Sequence, residues 1–275
     1  MKYIDMHTHT NISDGIYSPK ELIKYAISKG LNGVAITDHD AIDGIDEAIE
    51  YAHTQNDFLV VPGIELSTEF QETEIHILGY NINHNDEVLK NTLSFLKKQR
   101  INRAFKIVEK LNKLNINITY NEIKNKSPNG VIGRPHVSRL LIEKGCVHDM
   151  KEAFEKYLGN QAPAYVPRYK ITPSEAIELI KSSGGFSVIA HPKSINSDYL
   201  LLDILKNDVD GIEVYHPTHN STDREKYLSI ANKYNLIVTA GSDFHAPPSD
   251  SSNHGDLGDE KLSIENIKSI INKGD

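Results

Sequence analysis

The sequence predicts an α/β fold: a parallel sheet, closed or nearly closed into a barrel, with a helical insertion in its middle. Three observations point there. Strand and helix signals alternate over the first 80 residues, and they alternate again from about residue 171. The stretch between them carries helical spacing with no convincing strand. The boundaries that follow are 1–94 and 171–275 for the barrel and 95–170 for the insertion, a cap over the substrate.

Taken in order, Tyr3-Ile4-Asp5-Met6 opens the chain as a short strand. Ser18-Pro19 starts a helix, a capping residue followed by proline at the first helical position, and Gly30 stops it. Gly33–Thr37 is the next strand, a helix covers Ile45–His53, and Phe58–Glu65 and Glu74–Tyr80 read as two more strands. From Glu87 to Leu114, apolar Val88, Leu89, Leu93, Leu96, Ile101, Phe105, Val108 and Leu111 keep a helical period. Shorter helices follow near Tyr120–Asn125, Pro135–Lys144 and Met150–Leu158. Then come a helix from Ser174, a strand Phe186–Ala190, a helix near Tyr199–Lys206 and a strand Gly211–Tyr215. A helix Ser221–Tyr234, a strand Leu236–Ala240 and a last helix from Ile264 complete the chain, and Pro247–Asn253 reads as a mobile loop.

Composition narrows the function. Apolar residues make up 39% and charged residues 25%, which fits a soluble globular protein. No apolar run reaches the roughly 18 residues of a membrane helix. The N-terminus turns polar too soon for a signal peptide. A single cysteine, Cys146, allows no internal disulfide, so a reducing cytoplasm is the expected location. The net charge of −8 argues against a large nucleic-acid groove working by phosphate neutralisation, a DNA groove included, so positive charge for a phosphate would have to be local. The chain is also rich in histidine, with 13, and the placing of these residues decides the chemistry.

Strand ends carry them. His7-Thr8-His9 follows the first strand, with Asp14 just beyond; Thr37-Asp38-His39-Asp40 follows the second; Glu65 ends the third and His76 lies on the fourth. Ala190-His191-Pro192 and Gly241-Ser242-Asp243-Phe244-His245 end two later strands. In a parallel α/β sheet these ends share one face, so residues almost 240 positions apart converge. Residues i and i+2 of an extended chain point the same way, which lets His7 with His9, and Asp243 with His245, offer paired ligands. Mixed imidazole and carboxylate donors suit zinc, manganese or iron better than calcium. His53, His84, His148 and His219 lack such partners and read as ordinary surface or core residues.

The order His7-x-His9, Asp14, Thr37-Asp38-His39, Gly63-Ile64-Glu65, His76, Ala190-His191-Pro192, Gly241-Ser242-Asp243-Phe244-His245 resembles the PHP (polymerase and histidinol phosphatase) superfamily, from residue 3 to about 258. It is most similar to a stand-alone branch that includes nucleoside 3′,5′-bisphosphate phosphatase and a 5′→3′ exoribonuclease. That branch has a helical insertion with an Arg-Pro-His motif, here Gly133-Arg134-Pro135-His136. The resemblance implies a distorted (β/α)7 TIM-like barrel and a trinuclear site holding three divalent ions, Mn, Fe or Zn. One ion would sit on His7, His9, Glu65 and Asp243, a second on Asp14, His39 and His245, and a third on Glu65, His76 and His191. It implies a metal-dependent phosphoesterase in which a metal-bridging hydroxide attacks phosphorus, with no catalytic side chain beyond it.

The expected substrate is a small phosphorylated nucleotide or a short RNA end, with Arg134, His136 and Arg168 as its binding residues. A guanidinium such as Arg134 can grip a second phosphate in bidentate fashion. His216 is a candidate proton donor to the leaving group, and Asp38 and Asp40 are candidates for orienting ligands. Three readings compete. A histidinol-phosphate phosphatase would not need the Arg134 clamp. An amidohydrolase-type barrel also begins with His-x-His but usually bridges its metals with a carboxylated lysine, where this chain has Glu65. The third is a non-catalytic metal- or nucleic-acid-binding module.

Overall fold

The apolar stretches become the strands of a single sheet: β1 (Tyr3–Thr8), β2 (Gly33–Ile36), β3 (Leu59–Phe70), β4 (Thr73–Tyr80), β5 (Phe186–Ile189), β6 (Gly211–Tyr215), β7 (Ile237–Ala240) and β8 (Leu262–Ser263). The helices are α1 (Pro19–Ser28), α2 (Ile45–Ala52), α3 (Glu87–Lys113), α4 (Tyr120–Lys124), α5 (Arg134–Glu143), α6 (Met150–Ala153), α7 (Pro173–Ser182), α8 (Asp198–Ile204), α9 (Ser221–Tyr234) and α10 (Lys268–Ile271). The computed structural model describes residues 1–55, 57–126, 133–248 and 255–271. The chain divides into two compact units, 1–91 with 170–275, and 92–169.

The strand order is β7-β6-β5-β4-β3-β2-β1-β8. β1 to β3 pair in parallel, as do β5 to β7. Two strands depart from the all-parallel sheet that βα alternation predicts: β4 is antiparallel to both neighbours, and β8 to β1. The reason lies in β3, which does not end at Glu65 but runs on to Phe70. Gln71 and Glu72 then take positive φ, as a two-residue type I′ turn requires, and the chain returns as a hairpin. With no crossover helix between them the two strands are necessarily antiparallel. The return sets His76 opposite Ser67, beside Glu65, at the same end of the sheet as the ends of the parallel strands.

The sheet nearly closes on itself. Thr8 bridges Phe244 in parallel, the His9 N–H donates to the Phe244 carbonyl at 2.9 Å, and the Phe244 N–H donates to the His7 carbonyl at 3.3 Å. The chain just beyond β7 is thereby joined to the end of β1, giving the barrel of the expected α/β class. Ile4, Met6, Ala35, Val61, Leu78 and Val188 form an apolar core with almost no exposure. Local signals set the helix starts. Ser18 with Glu21, and Thr172 with Glu175, form reciprocal capping boxes, each followed by proline.

The second unit is helical among its described residues and has its own core, including Leu111, Ile123, Val137, Leu141 and Leu158. The helix expected over Met150–Leu158 is interrupted: α6 stops at Ala153 and a π-helical turn spans Phe154–Leu158. Residues 249–253 of the expected loop lie outside the described residues. No helix among the described residues is long and apolar enough to cross a membrane.

Candidate metal centre

The barrel brings the nine expected ligands together, with one of them, Glu65, in the middle. Glu65 is fully buried in the middle of β3. Its Oε2 lies 3.3 Å from His7 Nε2, 3.2 Å from His9 Nε2 and 3.0 Å from His39 Nδ1. Its Oε1 lies 2.9 Å from His76 Nδ1 and 3.1 Å from His191 Nε2. Asp243 Oδ1 is 3.1 Å from His9 Nε2 and 3.4 Å from His7 Nε2, and Asp14 Oδ1 is 3.2 Å from His245 Nε2.

Three clusters have the geometry of an ion site: His7, His9, Glu65 and Asp243; His9, Asp14, His39 and His245; and His39, Glu65 and His76. The first has the same members as the expected set. The second gains His9. In the third, His39 stands where His191 was expected, and His191 instead shares with His76 the same Glu65 oxygen. A cavity of about 370 Å³ opens over the group, lined by Asp14, His39, Glu65, His76, His191, His216 and neighbours.

The residues fit divalent cations on a structural ground. His7 Nε2, both ring nitrogens of His9, His39 Nδ1, His76 Nε2 and Glu65 Oε2 are buried without hydrogen bonds among the described residues. Each such atom costs about 1–3 kcal/mol, so this many in one place calls for a ligand. Imidazole nitrogens and carboxylate oxygens together are donors for zinc, manganese or iron.

Backbone strain marks the same place. Asp40, His191 and Asp243, each just past the end of β2, β5 or β7, have φ of 48°, 26° and 52°. Non-glycine residues pay about 1–3 kcal/mol for such conformations, and they collect at functional sites. Gly241 allows the close approach of the last segment to β1: a Cβ there would lie 2.2 Å from the Cβ of His7.

Electrostatics agrees. Burial lowers the pKa of His9, but Asp243 and Glu65 outweigh it and raise it to about 10. For His76, burial is again outweighed, chiefly by Glu65, and the pKa rises to about 9. In His191 and His245 burial prevails and the pKa falls. The metal-free carboxylates therefore hold protons on imidazoles at neutral pH, and entering cations must displace them. Loading the metal-free protein with Mn2+ at pH 8 is expected to release protons. Calorimetry in buffers of different ionisation enthalpy reads this, and a heat independent of buffer would count against ions binding here.

Supporting residues complete the arrangement. The orienting role expected of Asp38 takes a different form: it accepts from the Thr10 N–H, the Thr10 hydroxyl and the Ser13 hydroxyl, fixing the turn that carries Asp14. Asp40 accepts from the Ser67 N–H. The Ser194 hydroxyl donates to the His191 carbonyl, which leaves its oxygen to accept from His191 Nδ1 and turns Nε2 toward Glu65. His216, buried at the end of β6, has Nε2 3.5 Å from Asp243.

Sequence reasoning missed Glu213 on β6. It accepts from His7 Nδ1 at 3.0 Å through Oε1 and from the His191 N–H at 2.8 Å through Oε2. An acid inside the apolar strand Gly211-Ile212-Glu213-Val214-Tyr215 was the available signal. Glu213→Gln keeps the shape but offers one acceptor to two donors. Metal affinity is expected to fall about 10–100-fold, as for other residues that orient ligands, measured by competition with a chelating dye.

The residues expected to bind substrate belong to the helical unit, where Arg134 and His136 hold local structure. Arg134 Nη1 donates to the Leu158 carbonyl, and its guanidinium lies over the rings of Phe154 and Tyr165. His136 Nδ1 accepts from the Gly133 N–H at the start of α5. Arg168 is half-buried.

Comparison with known proteins adds an independent line. The 5′-3′ exoribonuclease of Haemophilus influenzae is 34% identical over 251 residues, covering 90% of this chain and 91% of that protein. The 3′,5′-nucleoside bisphosphate phosphatase of Chromobacterium violaceum is 32% identical over 253 residues, covering 90% and 88%. A crystal structure from Bifidobacterium adolescentis, of a protein classed as a metal-dependent phosphoesterase, superposes with a TM-score of 0.80 at 29% identity. It covers 98% of this chain and 95% of that one. The sequence model of the PHP domain matches residues 5–165, more than half of the chain, and with these relatives it shows that the chain belongs to the PHP domain family.

Proposed function

We propose that this PHP-family phosphoesterase hydrolyses a phosphomonoester of a nucleotide, the 3′-phosphate of a nucleoside 3′,5′-bisphosphate, or trims short RNA from its 5′ end. The observation that carries the reading is Glu65, a buried carboxylate ringed by five imidazoles under an open cavity. Relatives about one-third identical bear the names of both activities. Divalent ions held here would polarise phosphoryl oxygens and lower the pKa of water. The three clusters above would hold them, with Glu65 a member of two and His9, Asp14, His39 and His245 forming the other.

The chain's own groups then take definite parts. Glu213 and Ser194 orient His7 and His191, so that each presents Nε2 to the site. His216 Nδ1 accepts from the Thr218 N–H, so its other ring nitrogen, Nε2, buried 3.5 Å from Asp243 at the cavity's lining, would be the one to pass a proton to the leaving oxygen. Arg134 uses one nitrogen on Leu158, and its fork retains donors for a second phosphate. The lone Cys146 is in keeping with a reducing cytoplasm.

Arg134→Ala is expected to raise KM for adenosine 3′,5′-bisphosphate about 10–100-fold, the equivalent of one charge-assisted contact of 1.5–3 kcal/mol. KM for an aryl phosphate should move much less, and equal effects on both would remove Arg134 from the substrate site. The function itself is tested with metal-loaded protein on adenosine 3′,5′-bisphosphate, a 5′-phosphorylated oligoribonucleotide and histidinol phosphate, assayed side by side. Bound metal without turnover of either nucleotide would overturn the reading.

A further inference from the structure

The net charge of −8 conceals a strong segregation. Residues 92–169, the helical unit, contain 15 Lys and Arg against 6 Asp and Glu, a net of +9. The remaining 197 residues contain 15 against 32, a net of −17. Asymmetry of this size between two units of one chain is a signature of a polyanionic partner for the basic one. The acids of the unit do not cancel its cations locally. Glu109, Glu122, Glu143, Glu152 and Glu155 each pair with one lysine, whereas exposed Lys97, Lys98 and Lys106 pair with no acid among the described residues.

Those free lysines lie on α3 next to aromatic rings that solvent reaches. Phe105 is 50% exposed and stacks on Tyr120 with ring centroids 4.2 Å apart and planes 18° from parallel. Phe95 is 44% exposed and meets Tyr169 edge to face. At 100° per residue, Phe95, Lys98, Phe105 and Lys106 fall on one half of the helix, and the two phenylalanines are about 15 Å apart along it. Half-exposed phenylalanines interleaved with unpaired lysines make a poor solvated surface. They are the elements of a single-strand platform, since bases stack on the rings while lysines follow the phosphates. Double-stranded nucleic acid would leave the rings unused.

We propose that the exposed face of α3 binds the single-stranded stretch of an RNA chain beyond the nucleotide being hydrolysed. This rests on the phosphoesterase reading only for the identity of the end that is cut. It implies that the chain discriminates by length, since an oligoribonucleotide has the successive bases and phosphates that such a face holds and a mononucleotide bisphosphate does not.

The test uses the manganese-loaded full chain and the variants K98E/K106E and K98E/F105A/K106E. Anisotropy with a fluorescent decaribonucleotide and turnover of adenosine 3′,5′-bisphosphate and of the 5′-phosphorylated decamer are measured together. The triple variant is expected to bind the decamer at least 10-fold more weakly and to raise its KM similarly, with bisphosphate turnover within twofold of wild type. In the double variant, which keeps the Phe105–Tyr120 stack, the slope of log K against log salt should fall by about 1.4, for two lost single-strand phosphate contacts.

Unchanged decamer binding in both variants overturns the proposal. So does an equal loss on bisphosphate and decamer, which would assign the face to the fold or to the reaction site. Binding by wild type to anionic vesicles and not to the decamer, lost in the variants, overturns it in favour of a membrane surface. If wild type hydrolyses neither nucleotide yet binds the decamer through this face, the platform stands and the proposed function fails.

Discussion

Glu65→Gln is expected to reduce phosphatase kcat by about 10³-fold or more, some 4 kcal/mol in the barrier, and to lower the number of ions bound per chain. The substitution is isosteric, so the hairpin of β3 and β4 and the near-UV circular dichroism should persist. What changes is charge and acceptor capacity. Both Glu65 oxygens face imidazole nitrogens at 2.9–3.3 Å, and burial, which would raise its pKa, is outweighed by His39, His76 and His7. The carboxylate is therefore held ionised where no water can stabilise it, which only cations around it can do. An amide there has no charge to bridge ions and would turn its NH2 toward one set of imidazoles. Metal content by mass spectrometry and kcat are the two readouts. A variant with wild-type stoichiometry and affinity would show that Glu65 is not a bridge, whatever happened to turnover.

The features of the site that could be read in advance were those carried by local pattern. His-x-His and Asp-x-His after apolar strands need only the two-residue alternation of an extended chain and the rule that parallel strands end on one face. Features set by pairing between distant segments were hidden. Glu65 reads as a strand end because polar Ser67, Thr68 and Glu69 follow it, although β3 runs on to Phe70. Only the hairpin with β4 shows that these polar residues remain in the sheet. β8, two residues long, has no period to detect and exists through its pairing with Tyr3 and Ile4.

Glu213 was obscured differently. It acts through hydrogen bonds to residues far away in sequence and has no metal-ligand spacing, whereas Asp38 was legible because it stands beside His39. The positive charge of the helical unit was in the composition throughout, but a whole-chain sum of −8 erased it. A charge balance taken unit by unit recovers it, which is why domain boundaries belong before electrostatic arguments.

Asp5 supports the expectation with the largest effect on stability. It lies on β1, two residues before His7, and is completely buried. Oδ1 accepts from the His7 N–H at 3.1 Å and the Ser242 N–H at 3.0 Å. Oδ2 accepts from the Ser242 hydroxyl and, at 2.9 Å, from the Gly258 N–H. One side chain thus ties β1 to the segment carrying Asp243 and His245 and to the chain just before β8. Burial pushes its carboxyl up to about 6 against the pull of these four donors, so the hydrogen bonds do not fully offset the loss of hydration. The sign for pH follows: the folded state keeps this proton above the ordinary value of 3.8, so the residue's contribution to stability falls as pH rises from about 4 to 6 and is constant beyond.

Asp5→Ala leaves four buried donors without an acceptor and opens a small void, and should cost about 3–5 kcal/mol at pH 7.5. Asp5→Asn retains one acceptor oxygen. Its amide can donate to a reoriented Ser242 hydroxyl but only opposes the Gly258 N–H, so its cost should be smaller, about 1–3 kcal/mol. Urea denaturation of the metal-free proteins reads both, as a lower midpoint at unchanged slope. An alanine variant within about 0.5 kcal/mol of wild type, the range of ordinary surface changes, would mean that water replaces Asp5 and that the tie does not hold the barrel's edges together.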